Sequence, residues 1–358
     1  MKLKLESNCV FNVFLLLFEI SLSGCVHNGS ENIMSDSEST KATQTSTDKS
    51  SPEDFLTVTQ VYQNAVDNGF SGAVLVRHRG AIVLHEASGF ANRDLAIPNT
   101  IDTVFDIGSI TKQFTGALIM ALQEAGLLKV GDTLADHFDD VPEDKADITI
   151  HQLLTHTAGF DGGFGADTVA IDRDIFLKLA WATRLEFEPG TKHRYSNAGY
   201  SIATAIAESV SGQSYESALK THIFSPAILS ETGYLLPDWS NRTLAIGYRD
   251  RRSLEEMSSW AKDGPYWNLR GNGGLLSTTS DLLKWHYVLS GESVLTASSI
   301  ETLQSRHVDK NLRPGRRRGI GRPILWVRLG YPGRSIRRSI TLARWWQRIF
   351  SCFHRTGH

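Results

Sequence analysis

The pattern of hydrophobic and polar positions begins with two short segments rich in β-forming residues. Residues 71–77 (S-G-A-V-L-V-R) and 81–87 (A-I-V-L-H-E-A) are separated by H-R-G at 78–80. Segments of this length, joined by a short glycine-containing connection, predict an antiparallel β-hairpin. A two-stranded hairpin is only marginally stable by itself. Further strands are therefore expected, and only the C-terminal region of the sequence is left to supply them.

Helical spacing of apolar residues dominates the chain after residue 110. Between residues 111 and 128 they stand at 114, 117, 118, 121, 122 and 125, and Gly126 closes the segment. Spacings of three and four residues place these side chains on one helix face. The same reasoning predicts helices over residues 151–154, 172–180, 198–210, 215–223 and 280–289. Thr279 or Ser280 is expected to cap the last of them. The order predicts an α/β (α+β) fold, in which a mixed or antiparallel sheet region packs against a helical region.

The N-terminal segment has the pattern of an export signal. Lys2 and Lys4 precede an apolar stretch at residues 10–18, which is too short to span a bilayer. The quartet L-S-G-C that ends at Cys25 resembles a bacterial lipoprotein box, in which Cys25 would be lipidated after cleavage. An ordinary secretory signal with a chance cysteine remains the alternative. Residues 26–52 are rich in Ser, Thr, Asp, Glu and Lys, a composition typical of a flexible tether. We expect an exported bacterial protein of the cell envelope or periplasm, lipid-anchored at Cys25.

Composition limits the chemistry of the remaining chain. With 358 residues, 41% of them hydrophobic and 21% charged, the chain can bury a sizeable globular core. The three cysteines are Cys9, Cys25 and Cys352. Residues 26–351 can therefore form neither a disulfide framework nor a cysteine-based zinc site. No zinc-protease, P-loop or dinucleotide motif occurs, so we expect no metal and no cofactor.

The net charge of −2 conceals a change of composition near residue 313. Residues 313–358 contain 12 Arg but no Lys, Asp or Glu. Subtracting these 12 from the 37 basic residues leaves 25 against 39 acidic ones in residues 1–312, a charge of −14. Two different compositions are joined at this point.

Ser-x-x-Lys is the first candidate for catalytic chemistry. On a helix it places a hydroxyl and an amine on one face, and a buried amine with a lowered pKa can take the serine proton. The pattern occurs at Ser46–Lys49, Ser109–Lys112, Ser217–Lys220 and Ser259–Lys262. Context favours Ser109, because Gly108 allows a tight turn and the most apolar helix of the chain follows. Taken alone, the pattern leaves open an N-cap serine and a surface lysine. Tyr-x-Asn also occurs three times, and Tyr195–Asn197 could be a turn with an Asn cap.

Four ordered segments around Ser109 carry more information than the pair alone. They are F-D-I-G-S-I-T-K-Q-F-T (105–115), L-L-T-H-T-A-G (153–159), P-G-T-K-H-R-Y-S-N-A-G-Y (189–200) and G-G-L-L-S-T-T-S-D-L-L-K-W (273–285). In this order they resemble class C β-lactamases and their relatives, the serine esterases and D-peptidases. The resemblance covers about residues 60–290. It implies a β-lactamase/transpeptidase-like fold and hydrolysis of amide, lactam or ester carbonyls in a small-molecule or peptide substrate.

The resemblance also implies a role for each matching residue. Ser109 would form an acyl-enzyme, while Lys112 and Tyr195 would carry protons. Asn197 would bind a substrate amide and hold Lys112, and the Ser109 N–H would form half of an oxyanion hole. His156 is interpreted as structural rather than as a base. We expect a monomer that needs neither a cofactor nor a nucleic acid.

One expected motif is missing from the sequence. The family carries Lys-Thr-Gly or His-x-Gly on a strand that should follow residue 300, and neither triplet occurs there. Because tryptophan has a single codon, reading one base later turns residues 345–347 (W-W-Q) into Gly-Gly, and residues 343–344 can then read His-Gly. In the same frame residues 325–330 can read S-G-Y-G-W-V. We hypothesise that a frameshift near residue 313 replaced the native C-terminus, including its strands.

Two alternatives stay open at this point. The Arg-rich segment could be a genuine basic tail that binds nucleic acid or anionic lipid, although such tails usually mix Lys with Arg. The protein could also be an inactive truncated copy or a non-catalytic penicillin-binding protein. The predicted organisation is a lipoprotein-type signal peptide (1–25), a tether (26–52), an incomplete serine hydrolase domain (53–312) and an aberrant tail (313–358).

Overall fold

The computed structural model describes residues 52–249, 252–253, 260, 263–291 and 294–308, and the side chains of residues 58–248, 260, 263–291 and 294–308. The predicted signal peptide with Cys25, nearly all of the tether and the Arg-rich tail lie outside the described residues. So do Ser46–Lys49 and Ser259–Lys262.

The predicted β-hairpin is confirmed. Strand β1 (Gly72–His78) pairs antiparallel with strand β2 (Ala81–Ser88), and Gly72 lies opposite Ser88. Gly80 adopts a φ of +85°, the left-handed conformation that glycine reaches without a steric cost. An additional helix, α1 (Pro52–Asp67), lies before the hairpin and packs on β2. Helix α1 was not predicted from the sequence.

Most of the fold is helical, as predicted. The helices after α1 are α2 (Thr111–Glu124), α3 (Ile150–Leu154), α4 (Arg173–Ala182), α5 (Asn197–Ser211), α6 (Tyr215–Leu219), α7 (Thr279–Leu289) and α8 (Ala297–Gln304). In the described part of the chain, none of them is long and apolar enough to cross a membrane.

Several helix ends differ from the prediction. Helix α2 ends at Glu124 rather than at residue 128, because Gly126 turns the chain with a φ of +74°. The predicted cap of α7 is wrong: Thr278 is the N-cap, and its hydroxyl accepts a hydrogen bond from the Asp281 N–H. The predicted helix over residues 215–223 divides into α6 and a π-helical turn at Lys220–Phe224. Helix α8 was not predicted.

The remaining strands are short. They are β3 (Phe90–Asn92), β4 (Ile97–Pro98), β5 (Phe105–Asp106), β6 (Tyr248–Arg249), β7 (Arg252–Ser253) and β8 (Leu276–Ser277). Within the described residues these strands pair antiparallel and in twos, as β1–β2, β3–β4, β5–β8 and β6–β7, and one isolated bridge, Val104 with Leu244, is parallel. The mixed α/β class is confirmed. The C-terminal residues that were expected to supply further strands lie outside the described part.

The core is centred on α2, which packs against α5 and α6. Phe114 in α2 is fully buried and stacks on Trp285 of α7, with ring centroids 4.2 Å apart. Helices α3 and α5 also approach closely, since a Cβ on Gly199 would lie 3.1 Å from the Leu153 carbonyl oxygen. Helix α5 therefore packs against both α2 and α3.

Candidate active site

Ser109 lies in a single 3-10 turn, Gly108–Ile110, that leads directly into α2. Gly108 has a φ of +52°, and its N–H donates to the Asp106 carboxylate across 2.7 Å. The turn is held from the other side by the Ile107 N–H, which donates to the Leu275 carbonyl next to β8. Ser109 itself is exposed. The amides at a helix start lack intrahelical partners, so this position also favours negative charge near the serine oxygen.

Lys112 is buried under Ser109, with 6% of its surface exposed. Its Nζ donates to Asn197 Oδ1 across 2.8 Å, to the Asn272 carbonyl across 2.6 Å and to Ser109 Oγ across 3.4 Å. These three acceptors match the three N–H donors of an ammonium group. The amine also lies 4.9 Å from the ring centroid of Tyr195.

Burial lowers the pKa of Lys112 from its ordinary value of 10.5 to about 7, although the negative charge of Asp167 opposes the shift. Removing an ammonium group from water disfavours its charged form. An amine with this pKa is half neutral near pH 7 and can accept a proton there. The predicted desolvation of Lys112 is therefore present in the structure.

Tyr195 reaches the same serine from the segment before α5. Its hydroxyl donates to Ser109 Oγ across 2.9 Å. The side chain is 36% exposed, and its partial burial raises the pKa of the phenol above 10 despite the bond to Ser109. The phenol therefore keeps its proton at neutral pH. The Tyr195 hydroxyl can therefore transfer that proton to the serine oxygen or to a group bound beside it.

Asn197 is the first residue of α5, and its amide oxygen holds Lys112. The cap of this helix is Ser196, whose hydroxyl accepts from the Gly199 N–H. The alternative reading of Asn197 as the cap is thus wrong. The Asn197 N–H donates to the Gly162 carbonyl across 2.7 Å, which pins the turn. The Asn197 side chain therefore takes no part in capping the helix. Its Oδ1 accepts from Lys112, and its amide N–H group can donate to a ligand.

The backbone carbonyl of Asn272, the third acceptor for Lys112, was not predicted from the sequence. Its loop is held by Tyr234, whose hydroxyl accepts from the Gly271 N–H and donates to the Gly273 carbonyl. A Cβ at Gly271 would lie 1.7 Å from Thr204 Oγ1, so only glycine fits there. A carbonyl carries no side-chain signature. The only sequence signal was its position directly before the G-G-L-L-S segment.

Among the described residues, the competing Ser-x-x-Lys and Tyr-x-Asn pairs do not form a second site. Ser217 is half-buried, its hydroxyl accepts from the Ser214 hydroxyl, and Lys220 is exposed, as predicted for a solvated face. Tyr62 lies in α1 and packs edge-on against Phe70. The structure therefore brings together the four residues predicted from sequence, Ser109, Lys112, Tyr195 and Asn197.

In the described residues no group of three or more His, Cys, Asp or Glu side chains could hold a metal ion.

Known proteins resemble this chain over most of its length. The family model described as Beta-lactamase matches residues 58–347, and so runs past residue 313. PbpX of Bacillus subtilis, named as a penicillin-binding protein, is 27% identical over 313 residues, which cover 84% of this chain and 78% of that protein. Penicillin-binding protein 4* of the same organism is also 27% identical, over 65% of this chain and 55% of its own length.

Solved structures share the fold. The structure of a penicillin-binding protein from Bacillus halodurans superposes with a TM-score of 0.57 at 29% identity. The match covers 70% of this chain and 79% of that one. The chain thus spans little more than half of penicillin-binding protein 4*, but most of PbpX and of the superposed structure.

Proposed function

The chain belongs to the β-lactamase family of serine hydrolases, and from this we propose that it cleaves amide, lactam or ester carbonyls through an acyl-enzyme on Ser109. The observation that carries the proposal is the convergence of two proton-transfer groups on one exposed hydroxyl. The Tyr195 hydroxyl lies 2.9 Å and the Lys112 amine 3.4 Å from Ser109 Oγ.

Acylation begins with loss of the serine proton. With a pKa of about 7, Lys112 is neutral often enough at physiological pH to accept a proton from Ser109, directly or through the Tyr195 phenol. Ser109 Oγ then bonds to the carbonyl carbon, and the carbonyl oxygen takes the negative charge. In this proposal the Ser109 N–H, at the turn that leads into α2, stabilises that charge as half of an oxyanion hole. The proton passes through Tyr195 to the leaving nitrogen or oxygen, and the carbonyl re-forms as the acyl-enzyme.

Deacylation reverses the same proton path. A water molecule on the Tyr195 side gives its proton to the relay and attacks the ester carbon. Ser109 Oγ leaves with a proton returned from Tyr195 or Lys112. Asn197 contributes by holding the lysine amine and by offering its amide N–H to the substrate.

Labelling of the serine tests this function. A fluorophosphonate probe and a fluorescent penicillin should both attach to the wild-type protein, and the S109A variant should show no labelling. S217A is the matched control, since Ser217 belongs to the same pattern but not to the site. Failure of every acylating probe to label a folded wild-type protein would refute the proposal. Parallel assays with nitrocefin, a p-nitrophenyl ester and a D-alanyl peptide would identify the substrate class.

A second candidate is a non-catalytic penicillin-binding protein or an inactive copy. The sequence after residue 300, which has neither Lys-Thr-Gly nor His-x-Gly, favours it. Loss of one oxyanion donor typically lowers the rate by about 10²–10³-fold. Labelling without turnover would support this candidate, whereas multiple turnovers of any of the three substrates would exclude it.

We further propose that the protein is a monomer in solution. Light scattering on the same sample measures its oligomeric state.

We also propose that the protein is held at the membrane by a lipid on Cys25. The quartet at residues 22–25 and the short apolar stretch before it support this. In cells fed a clickable palmitate analogue, the wild type and C9A should take up label and C25A should not. Equal labelling of C25A, or a secreted and unlabelled wild type, would contradict the anchor.

A further inference from the structure

His156 bonds to the polypeptide on both sides of Tyr195. Its backbone carbonyl accepts from the Arg194 N–H across 2.9 Å. Its ring Nδ1 accepts from the Ser196 N–H across 3.1 Å. One residue therefore binds the two amides that flank the tyrosine.

The imidazole ring also supports the tyrosine ring directly. The ring centroids of His156 and Tyr195 are 4.6 Å apart with an interplanar angle of 35°. On a second side His156 lies 5.2 Å from the ring of Tyr200, which is itself buried and bonded to the Leu154 carbonyl. Only 3% of His156 is exposed. The ring of Tyr195 therefore packs on a buried imidazole that is itself held in place.

The backbone of His156 is unusual for a residue with a side chain. Its φ is +60°, in the left-handed region that non-glycine residues seldom enter, although histidine, asparagine and aspartate do so more than most. The conformation follows the end of α3 and is fixed by a hydrogen bond from the His156 N–H to the Leu153 carbonyl. Such outliers persist where surrounding contacts hold them in place.

The protonation state of the ring excludes it as a base. Because Nδ1 accepts the Ser196 N–H, the ring hydrogen of the neutral form lies on Nε2, and that atom has no hydrogen-bond partner among the described residues. Burial, together with the charges of Lys112 and His193, lowers the pKa of His156 to about 3. The only acceptor nitrogen is occupied, so the ring has no lone pair to offer a substrate.

We infer that His156 is a positioning residue that sets the Tyr195 hydroxyl on Ser109 by bonding both flanking amides and stacking on the phenol ring. The inference rests on the proposed serine hydrolase function. It assigns to the histidine of the L-L-T-H-T-A-G segment an effect on rate that passes entirely through Tyr195.

A double-mutant cycle on hydrolysis of a p-nitrophenyl ester separates this effect from general stability. H156F keeps a ring but loses the acceptor, and should lower kcat/KM by about 10–100-fold, as small misplacements of reacting groups do. In a Y195F background the same change should cost less than about 2-fold, because coupled residues are not additive. Equal losses in both backgrounds would overturn the inference. H151N, which alters a half-buried histidine away from the site, is the control and should leave kcat/KM unchanged.

A second variant covers the outcome in which H156F does not fold. H156N retains a side-chain acceptor for the Ser196 N–H, and asparagine tolerates the left-handed backbone. It should fold, retain more activity than H156F and lose its remaining defect in the Y195F background. A defect in H156N that persists undiminished with Y195F would also overturn the inference.

Nitrogen-15 NMR of the histidine rings gives a reading that needs no activity. The resonance missing from H156N should show the Nε2–H form and should not titrate between about pH 4 and 8. An Nδ1–H form, or titration near pH 6–7, would contradict the geometry. If the wild type is neither labelled nor active but the ring behaves as expected, the proposed function fails and the positioning geometry stands.

Discussion

The hydroxyl of Tyr195 lies 2.9 Å from the Oγ of Ser109, although 86 positions separate the two residues. The Lys112 amine, three residues from Ser109 on the same helix, is farther from that oxygen at 3.4 Å. Tyr195, although far from Ser109 in sequence, is therefore nearer to its oxygen in space than Lys112 is. Its position depends on the packing of α2 against α5 and on the turn before α5.

Replacing the phenol tests its part in proton transfer. Y195F removes the hydroxyl and keeps the ring on His156, so the fold should survive. Because general acid–base catalysis contributes about 10²–10⁴-fold, we expect kcat/KM for a p-nitrophenyl ester to fall by that factor. Y62F, at a half-buried tyrosine of another Tyr-x-Asn pair away from the site, should have no effect. Unchanged activity in Y195F would remove the phenol from the mechanism.

The pH profile should report Lys112. The amine accepts a proton only when neutral, so kcat/KM should rise with pH through about 7. N197D places a carboxylate where an amide oxygen lies 2.8 Å from the amine. An adjacent negative charge favours the ammonium form, so the rise should move to higher pH. A profile recorded from about pH 5 to 9 measures this shift. N64D, on exposed α1, is the control, and an unmoved rise in N197D would contradict the assignment.

Stability should depend on pH through the same amine. The pKa of Lys112 is about 7 in the folded protein and near 10.5 in the unfolded chain, so between these values the unfolded state binds more protons. The contribution of Lys112 to the free energy of unfolding therefore increases between these two pKa values, by about 1.4 kcal/mol per pH unit.

Urea denaturation of wild type and K112M at about pH 7, 8 and 9 checks this slope. The difference between the two proteins should move in favour of the wild type as the pH rises. K178M, at an exposed lysine of α4, should keep a constant difference from the wild type. A constant difference for K112M as well would mean that Lys112 is not desolvated.

The cap of α7 gives a prediction about stability alone. T278A removes the hydroxyl that accepts from the Asp281 N–H across 3.2 Å and donates to Glu231. Loss of an N-cap typically costs about 0.5–2 kcal/mol. S280A, one of the two residues expected from sequence to be the cap, should change the free energy of unfolding by less than about 0.5 kcal/mol. Thermal or urea unfolding compares them, and a larger loss in S280A would restore the original assignment.

The C-terminal hypothesis predicts a specific DNA sequence. Read one base later after codon 313, the gene should encode glycine-rich segments in place of residues 325–330 and 343–347. Inserting or deleting one base to restore the reading frame should raise the rate of ester hydrolysis. It should also increase the near-UV circular dichroism signal, while a three-base change at the same codon should do neither. Stop codons early in the shifted frame, or a repaired protein that is no more active, would refute the frameshift. The family model matches through residue 347 and so includes most of the Arg-rich tail, which counts against the frameshift; the frame-repair experiment decides between the two.

Much of the fold could be predicted because its signals are local. The hairpin and the apolar spacing of α2 depend on neighbouring residues only, and both elements are confirmed. Helix ends were less well predicted. Whether Thr278, Thr279 or Ser280 caps α7 depends on which hydroxyl faces the Asp281 N–H, a matter of geometry that three similar residues in a row do not reveal.

The sequence by itself determined the candidates: four Ser-x-x-Lys pairs, three Tyr-x-Asn pairs and the ordered segments that single out Ser109. Only the tertiary structure decided what those residues can do. Lys112 acquires its lowered pKa because the protein buries it, and it keeps that position because Asn197 and the Asn272 carbonyl, 85 and 160 positions away, accept its hydrogen bonds. Desolvation and close contact between distant residues are properties of packing, which residue spacing alone does not specify.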